Sequence, residues 1–107
     1  MPFSPYDPTE LQEHFERHGQ EFSAANQIDY EQMADAFWAR VVNPPLHECM
    51  RTNGMKCRYD TQTEEYSVLA KWGWVVTYFI PVPCSRMIVE NCHGFASNWE
   101  YFEDSCH

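Results

Sequence analysis

Leu11 and Phe15 stand four apart in a polar stretch, the spacing that puts two apolar side chains on one helical face. Thr9 and Gln12 form a capping box ahead of them, and Gly19 suits the left-handed residue that ends a helix. A first helix is therefore expected over about 10–18. A second stripe, Tyr30, Met33, Ala34, Phe37 and Val41, follows Asn26, which can cap with Asp29 as its third residue. Asn43-Pro44-Pro45 stops it, since proline lacks the donor and restricts the residue before it, so this helix is expected over about 27–42.

Beyond Pro45 the runs HECMR, MKCRYD, EEYSVLA and WVVTYFI are rich in β-formers and are separated by TNG, TQT and KWG, each a tight-turn sequence. They predict a four-stranded antiparallel meander over 47–80. Strict alternation in the last run puts Trp74, Val76 and Tyr78 on one face and Val75, Thr77 and Phe79 on the other. In the first hairpin a two-residue Asn53-Gly54 loop pairs Cys49 with Arg58, whereas a three-residue loop ending at Gly54 sets Cys49 opposite Cys57. The pattern leaves both registers open. Within the C-terminal segment 81–107, Ser97 and Glu100 open a short helix carrying Trp99 and Phe102. The expected fold is a single α+β domain over 1–107: two N-terminal helices, a four-stranded antiparallel meander and a short C-terminal helix.

With 107 residues, 44% of them hydrophobic and 16% aromatic, the chain can fill one core despite a formal net charge of -9. The charge is uneven. Residues 1–39 carry one Arg against eight acids, 72–107 one Arg against four, and 40–71 five basic residues against four acids. That balance excludes a generic nucleic-acid coat, whose affinity comes mainly from Lys and Arg. No apolar run approaches the ~20 residues that span a bilayer, and the start lacks the basic and apolar regions of a signal peptide, so no membrane contact is expected and the chain reads as cytosolic.

Cys49, Cys57, Cys84, Cys92 and Cys106 are odd in number, so at least one is free or pairs between molecules. In a cytosolic chain they read as reduced, mostly buried thiols, ahead of disulfides. Zinc ranks third, since Cys92-His93 and Cys106-His107 match no usual paired spacing, and HFERH has Phe15 where a zinc-protease helix needs its Glu. No cofactor is called for.

Histidine is the side chain that titrates unperturbed near neutral pH, so His14 and His18, one turn apart beside the apolar stripe, can supply one base and one acid. RNA cleavage without a metal needs that pair and a cation or donor for the phosphorane charge, which Arg58 and Thr77 could provide. They meet the histidines only if the sheet twist and the packing of the first helix bring them together.

Five blocks then stand out: HFERHGQEF at 14–22, DYEQMADAFW at 29–38, ECMRTNGMKCRYDTQTEEYSV at 48–68, VTYFIP at 76–81 and HGFASNWEYFEDSC at 93–106. In order and spacing, over nearly the whole chain, the series resembles the small bacterial and phage toxin-type nuclease domains grouped as barnase/EndoU/colicin/RelE-like. The resemblance implies N-terminal helices before a four-stranded antiparallel sheet, and metal-independent cleavage of tRNA or other RNA as a toxin or effector. It matches the family's helix histidines to His14 and His18, its strand arginine to Arg58 and its threonine to Thr77, with Val75-Val76 where a basic residue is expected. Arg51 and Lys56, on the basic hairpin, would hold neighbouring phosphates. An immunity or antitoxin protein is the implied partner besides RNA, and delivery into a target cell's cytoplasm within a larger effector the implied alternative location. The rival expectation is an acidic, catalytically inactive protein-binding module on the same fold.

Overall fold

The computed structural model describes residues 8–83 and 94–106, with side chains from Leu11 onward. Its elements are α1 (Pro8–His18), a 3-10 turn (Gly19–Phe22), α2 (Gln27–Ala39), β1 (Leu46–Met50), β2 (Lys56–Asp60), β3 (Tyr66–Leu69), β4 (Val75–Phe79) and α3 (Asn98–Asp104). The strands form one antiparallel sheet in the order β1-β2-β3-β4, so the α+β meander stands as expected. No helix among the described residues is long and apolar enough to cross a membrane.

Local capping chemistry sets the helix starts. Asn26 Oδ1 accepts from the Asp29 N–H at 2.8 Å, and Ser97 Oγ accepts from the Glu100 N–H at 3.2 Å. Helix α1 starts at Pro8, so Thr9 lies within it and not at its N-cap as expected; the Thr9 side chain is outside the described residues. Gly19 is not the left-handed residue expected there; that conformation falls on Ser23, with φ 55° and ψ 34° after the 3-10 turn. Gly19 is required for space, because a Cβ on it would sit 2.7 Å from the Phe15 ring.

Helix α2 ends three residues before the expected boundary, and Val41, assigned to its apolar stripe, is 79% exposed. The cause lies in β2. Arg58 Nη1 donates to the carbonyls of Phe37, Trp38 and Arg40 at 3.1–3.2 Å, so the last turn is closed by a side chain from the sheet and Arg40 leaves in extended conformation.

Register divides the sheet into two faces, since residues directly opposite one another project to the same side. The row Glu48, Arg58, Ser67 and Tyr78 faces α2, while the adjacent row Cys49, Cys57, Val68 and Thr77 faces α3. On the α2 face Tyr30, Ala34, Phe37, Leu46, Val75 and Tyr78 form the core, with Leu11, Phe15 and Phe22 packed against it. On the other face Cys57, Tyr59, Tyr66 and Val68 pack on Phe102 of α3. Strict alternation fails in β4: Leu69 pairs with Val75 and Val68 with Thr77, so Val76 is the extra residue of a bulge. Val75 thereby joins the α2 core and Val76 the α3 core, the reverse of the alternating expectation.

The first hairpin takes the register that sets Cys49 opposite Cys57, with Gly54 left-handed at φ 89°. The expectation of reduced thiols is corrected at two positions, because Cys49 is disulfide-bonded to Cys106, just beyond α3. That pairing spans 57 residues and depends on α3 folding back over the sheet. Cys57 is a buried free thiol; Cys84 and Cys92 lie outside the described residues, as do the zinc candidates His93 and His107. Among the described residues no group of three His, Cys, Asp or Glu side chains could hold a metal ion.

Candidate functional site

His14 and His18 share one face of α1, their ring centroids 6.2 Å apart and their planes 28° from parallel. His18 stacks in turn on Phe79, at 5.0 Å and 27°, at the end of the edge strand β4. The helix sits beside that strand because Leu11 and Phe15 enter the α2-face core, where Phe15 meets Tyr30 edge-on at 6.2 Å.

A carboxylate outside the expected set holds the arrangement. Glu21, in the 3-10 turn, places Oε2 2.6 Å from His18 Nδ1, while its Oε1 accepts from the Ile80 N–H at 2.6 Å. One side chain thus bridges the end of α1 to the end of β4. A carboxylate on one ring nitrogen fixes the ring and its tautomer and directs the other nitrogen, Nε2, to an outside partner. The 3-10 turn continues the helix far enough for position i+3 to reach His18, which is the signal available in HGQEF.

His14 differs from its neighbour. Burial, with smaller contributions from Arg17 and His18, lowers its pKa to about 4, so the ring is neutral at pH 7. Arg17, exposed on the same helix, is the cation acting on it.

Thr77 lies two residues before Phe79 on β4, about 7 Å along the strand, and its pairing with Val68 puts it on the α3 face, where Phe79 also packs. The structure thus brings His14, His18 and the Thr77–Phe79 segment to one strand edge. Arg58 is not among them. It points to the opposite face from Thr77, two strands away, with only 9% of its surface exposed. Its Nε donates to Glu48 Oε1 at 2.8 Å, its Nη1 closes α2, and its guanidinium lies 4.6 Å over the Trp38 ring. The expected phosphate-binding role of Arg58 is therefore replaced by a role in holding α2 to the sheet.

The other expected phosphate ligands are also dispersed. Arg51 Nε donates to the Ser105 carbonyl at 2.8 Å and its Nη2 to Tyr66 Oη at 3.3 Å, so it is engaged at the end of α3. Lys56 lies opposite Met50 and Leu69, two residues before Arg58 and on the same side of β2. Arg40, the remaining cation near α2, binds Asp60 at 2.7 Å. Burial raises the Asp60 pKa, but the Thr63 N–H, Arg40 and the Gln62 N–H outweigh it and hold this carboxyl below its usual range.

An open hollow of about 490 Å³ lies between α2 and the sheet, lined by Phe22, Met33, Phe37, Arg40, Glu65 and Tyr78 among others. Neither histidine lines it. The apolar hollow and the titratable pair are separate features. No protein-family model matches the chain, and no curated protein is significantly similar to it.

Proposed function

We propose that the chain is an endoribonuclease of toxin or effector type that cuts RNA by metal-independent acid–base chemistry at His14 and His18. The observation that carries this is the stacked histidine pair, with His18 held by Glu21 at the end of an edge strand. His14, kept neutral, takes the proton from the 2′-hydroxyl. The 2′-oxygen bonds to the adjacent phosphorus, and the bond to the 5′-oxygen breaks with its proton supplied through His18 Nε2. A 2′,3′-cyclic phosphate and a free 5′-hydroxyl result. Phe79 offers a ring for base stacking, and the Thr77 hydroxyl and Arg17 are the nearby donor and cation for phosphate charge. Action in a cytoplasm and an antagonist immunity or antitoxin protein belong to the same proposal and rest on the resemblance of the sequence blocks.

A second function is favoured by one specific observation, the burial of Arg58 beneath α2. Without that cation, and at a net charge of -9, the chain suits an inactive acidic module that binds a basic protein. Incubation with total RNA in chelator at low salt separates the two. Discrete fragments ending in 2′,3′-cyclic phosphate, lost in both His14→Ala and His18→Ala, are the result expected of the enzyme. Intact RNA, or equal cleavage by both variants, overturns it and leaves the module.

A further inference from the structure

Three sulfurs meet where β1, β2 and the end of α3 come together. Cys49 is bonded to Cys106, and Cys57 stands directly opposite Cys49 in the β1–β2 ladder. Directly opposite residues of an antiparallel pair have Cα atoms about 4.5–5.5 Å apart, inside the range a disulfide spans. Cys57 is also 3.7 Å, sulfur to oxygen, from the carbonyl of Ser105, the residue before Cys106. The unpaired thiol therefore lies against both halves of the existing bond.

The surroundings form a polar site within an otherwise apolar layer. Arg51 donates to the Ser105 carbonyl and to Tyr66 Oη, Tyr66 Oη donates to Ser105 Oγ at 2.9 Å, and Ser105 Oγ donates to the Tyr101 carbonyl at 2.9 Å. Arg51 also interacts with Cys57 itself. A guanidinium is thus positioned where negative charge spreads over sulfur during exchange.

We propose that Cys49, Cys57 and Cys106 form an intrachain thiol–disulfide exchange site in which Cys57 displaces Cys106 from Cys49. The buried Cys57 thiol loses its proton, which the leaving sulfur regains, and its own sulfur bonds to Cys49 Sγ. The Cys49–Cys106 bond breaks, its electron pair leaves on the Cys106 sulfur, and that sulfur takes up a proton. One disulfide and one thiol are present before and after, so no oxidant or reductant is consumed. The product ties β1 to β2 and releases α3 from its covalent tether. This exchange is independent of whether the chain cleaves RNA.

The test is disulfide mapping of the whole chain. Protein held at pH 6, 7 and 8.5 is quenched in acid, blocked with N-ethylmaleimide, digested with pepsin and analysed by mass spectrometry. The expected result is two species, Cys49–Cys106 and Cys49–Cys57, interconverting faster at higher pH through the thiolate. Cys57→Ser should lose the second species completely, and oxidised Cys106→Ser should contain it alone. Wild-type protein that yields only Cys49–Cys106 at every pH overturns the proposal, as does transfer of Cys49 to Cys84 or Cys92 instead. The wild-type arm decides the matter even if Cys106→Ser does not fold.

Discussion

Arg58 and Glu48 face each other across the β1–β2 ladder, with the guanidinium Nε 2.8 Å from the carboxylate and its Nη1 turned to the last carbonyls of α2. One strand residue thus joins a cross-strand ion pair to a helix C-cap. Arg58→Met leaves Glu48 without its cation and the carbonyls without their donor. The expected loss is about 2–4 kcal/mol of stability, read as a lower urea midpoint. Cleavage per folded molecule should not change, and a specific loss of cleavage at full stability would return Arg58 to the reacting centre.

In the proposed reaction Glu21 is a positioning residue, acting through His18. Glu21→Gln retains an oxygen for the Ile80 N–H but cannot hold the imidazole as a carboxylate does. Cleavage should fall about 10–100-fold in kcat with KM little changed, and the pH–rate profile should move. A change confined to KM would place Glu21 in substrate binding.

The depressed pKa of His14 makes stability depend on pH in a defined direction. Between about 4 and 6.5 the unfolded chain binds a proton at this ring that the folded chain does not. Its contribution is fully present above pH 6.5 and is lost as the pH falls to about 4. The size is about 1–2 kcal/mol once solvent screening of a half-buried ring is allowed for. His14→Gln should flatten the urea midpoint against pH across that window, and an unchanged slope would contradict the assignment.

Gly19→Ala should cost about 1–3 kcal/mol, because the added methyl meets the Phe15 ring at 2.7 Å. The cost should shrink in a Phe15→Leu background, a coupling visible in a double-mutant cycle. Equal cost in both backgrounds would point to the backbone instead of the ring.

Several features set by near neighbours were legible in the sequence, and those set by distant ones were not. Asn26 and Ser97 announce their helices because a cap needs only the next three residues. The end of α2 depends on Arg58, 18 residues beyond Arg40, and no periodicity in the helix reports it. The Val76 bulge depends on how β4 seats against β3, and the Cys49–Cys106 bond on where α3 lands. The histidine pair was legible for the same local reason as the caps. Its Glu21 partner was missed because Gly19 was expected to end the helical path before position 21, whereas the chain continues as a 3-10 turn.

The strand order β1-β2-β3-β4 has a consequence for how the molecule is made. Each strand pairs with the one just synthesised, and α2 already stands before the first of them. By the time Phe79 has left the ribosome, every strand has its hydrogen-bonding neighbours and the α2 face of the sheet has its helices. The segment carrying α3 emerges after the sheet and meets a surface already formed. A nascent chain therefore shows one apolar sheet face, with Tyr59, Tyr66 and Val68 uncovered, until Phe102 arrives to close it.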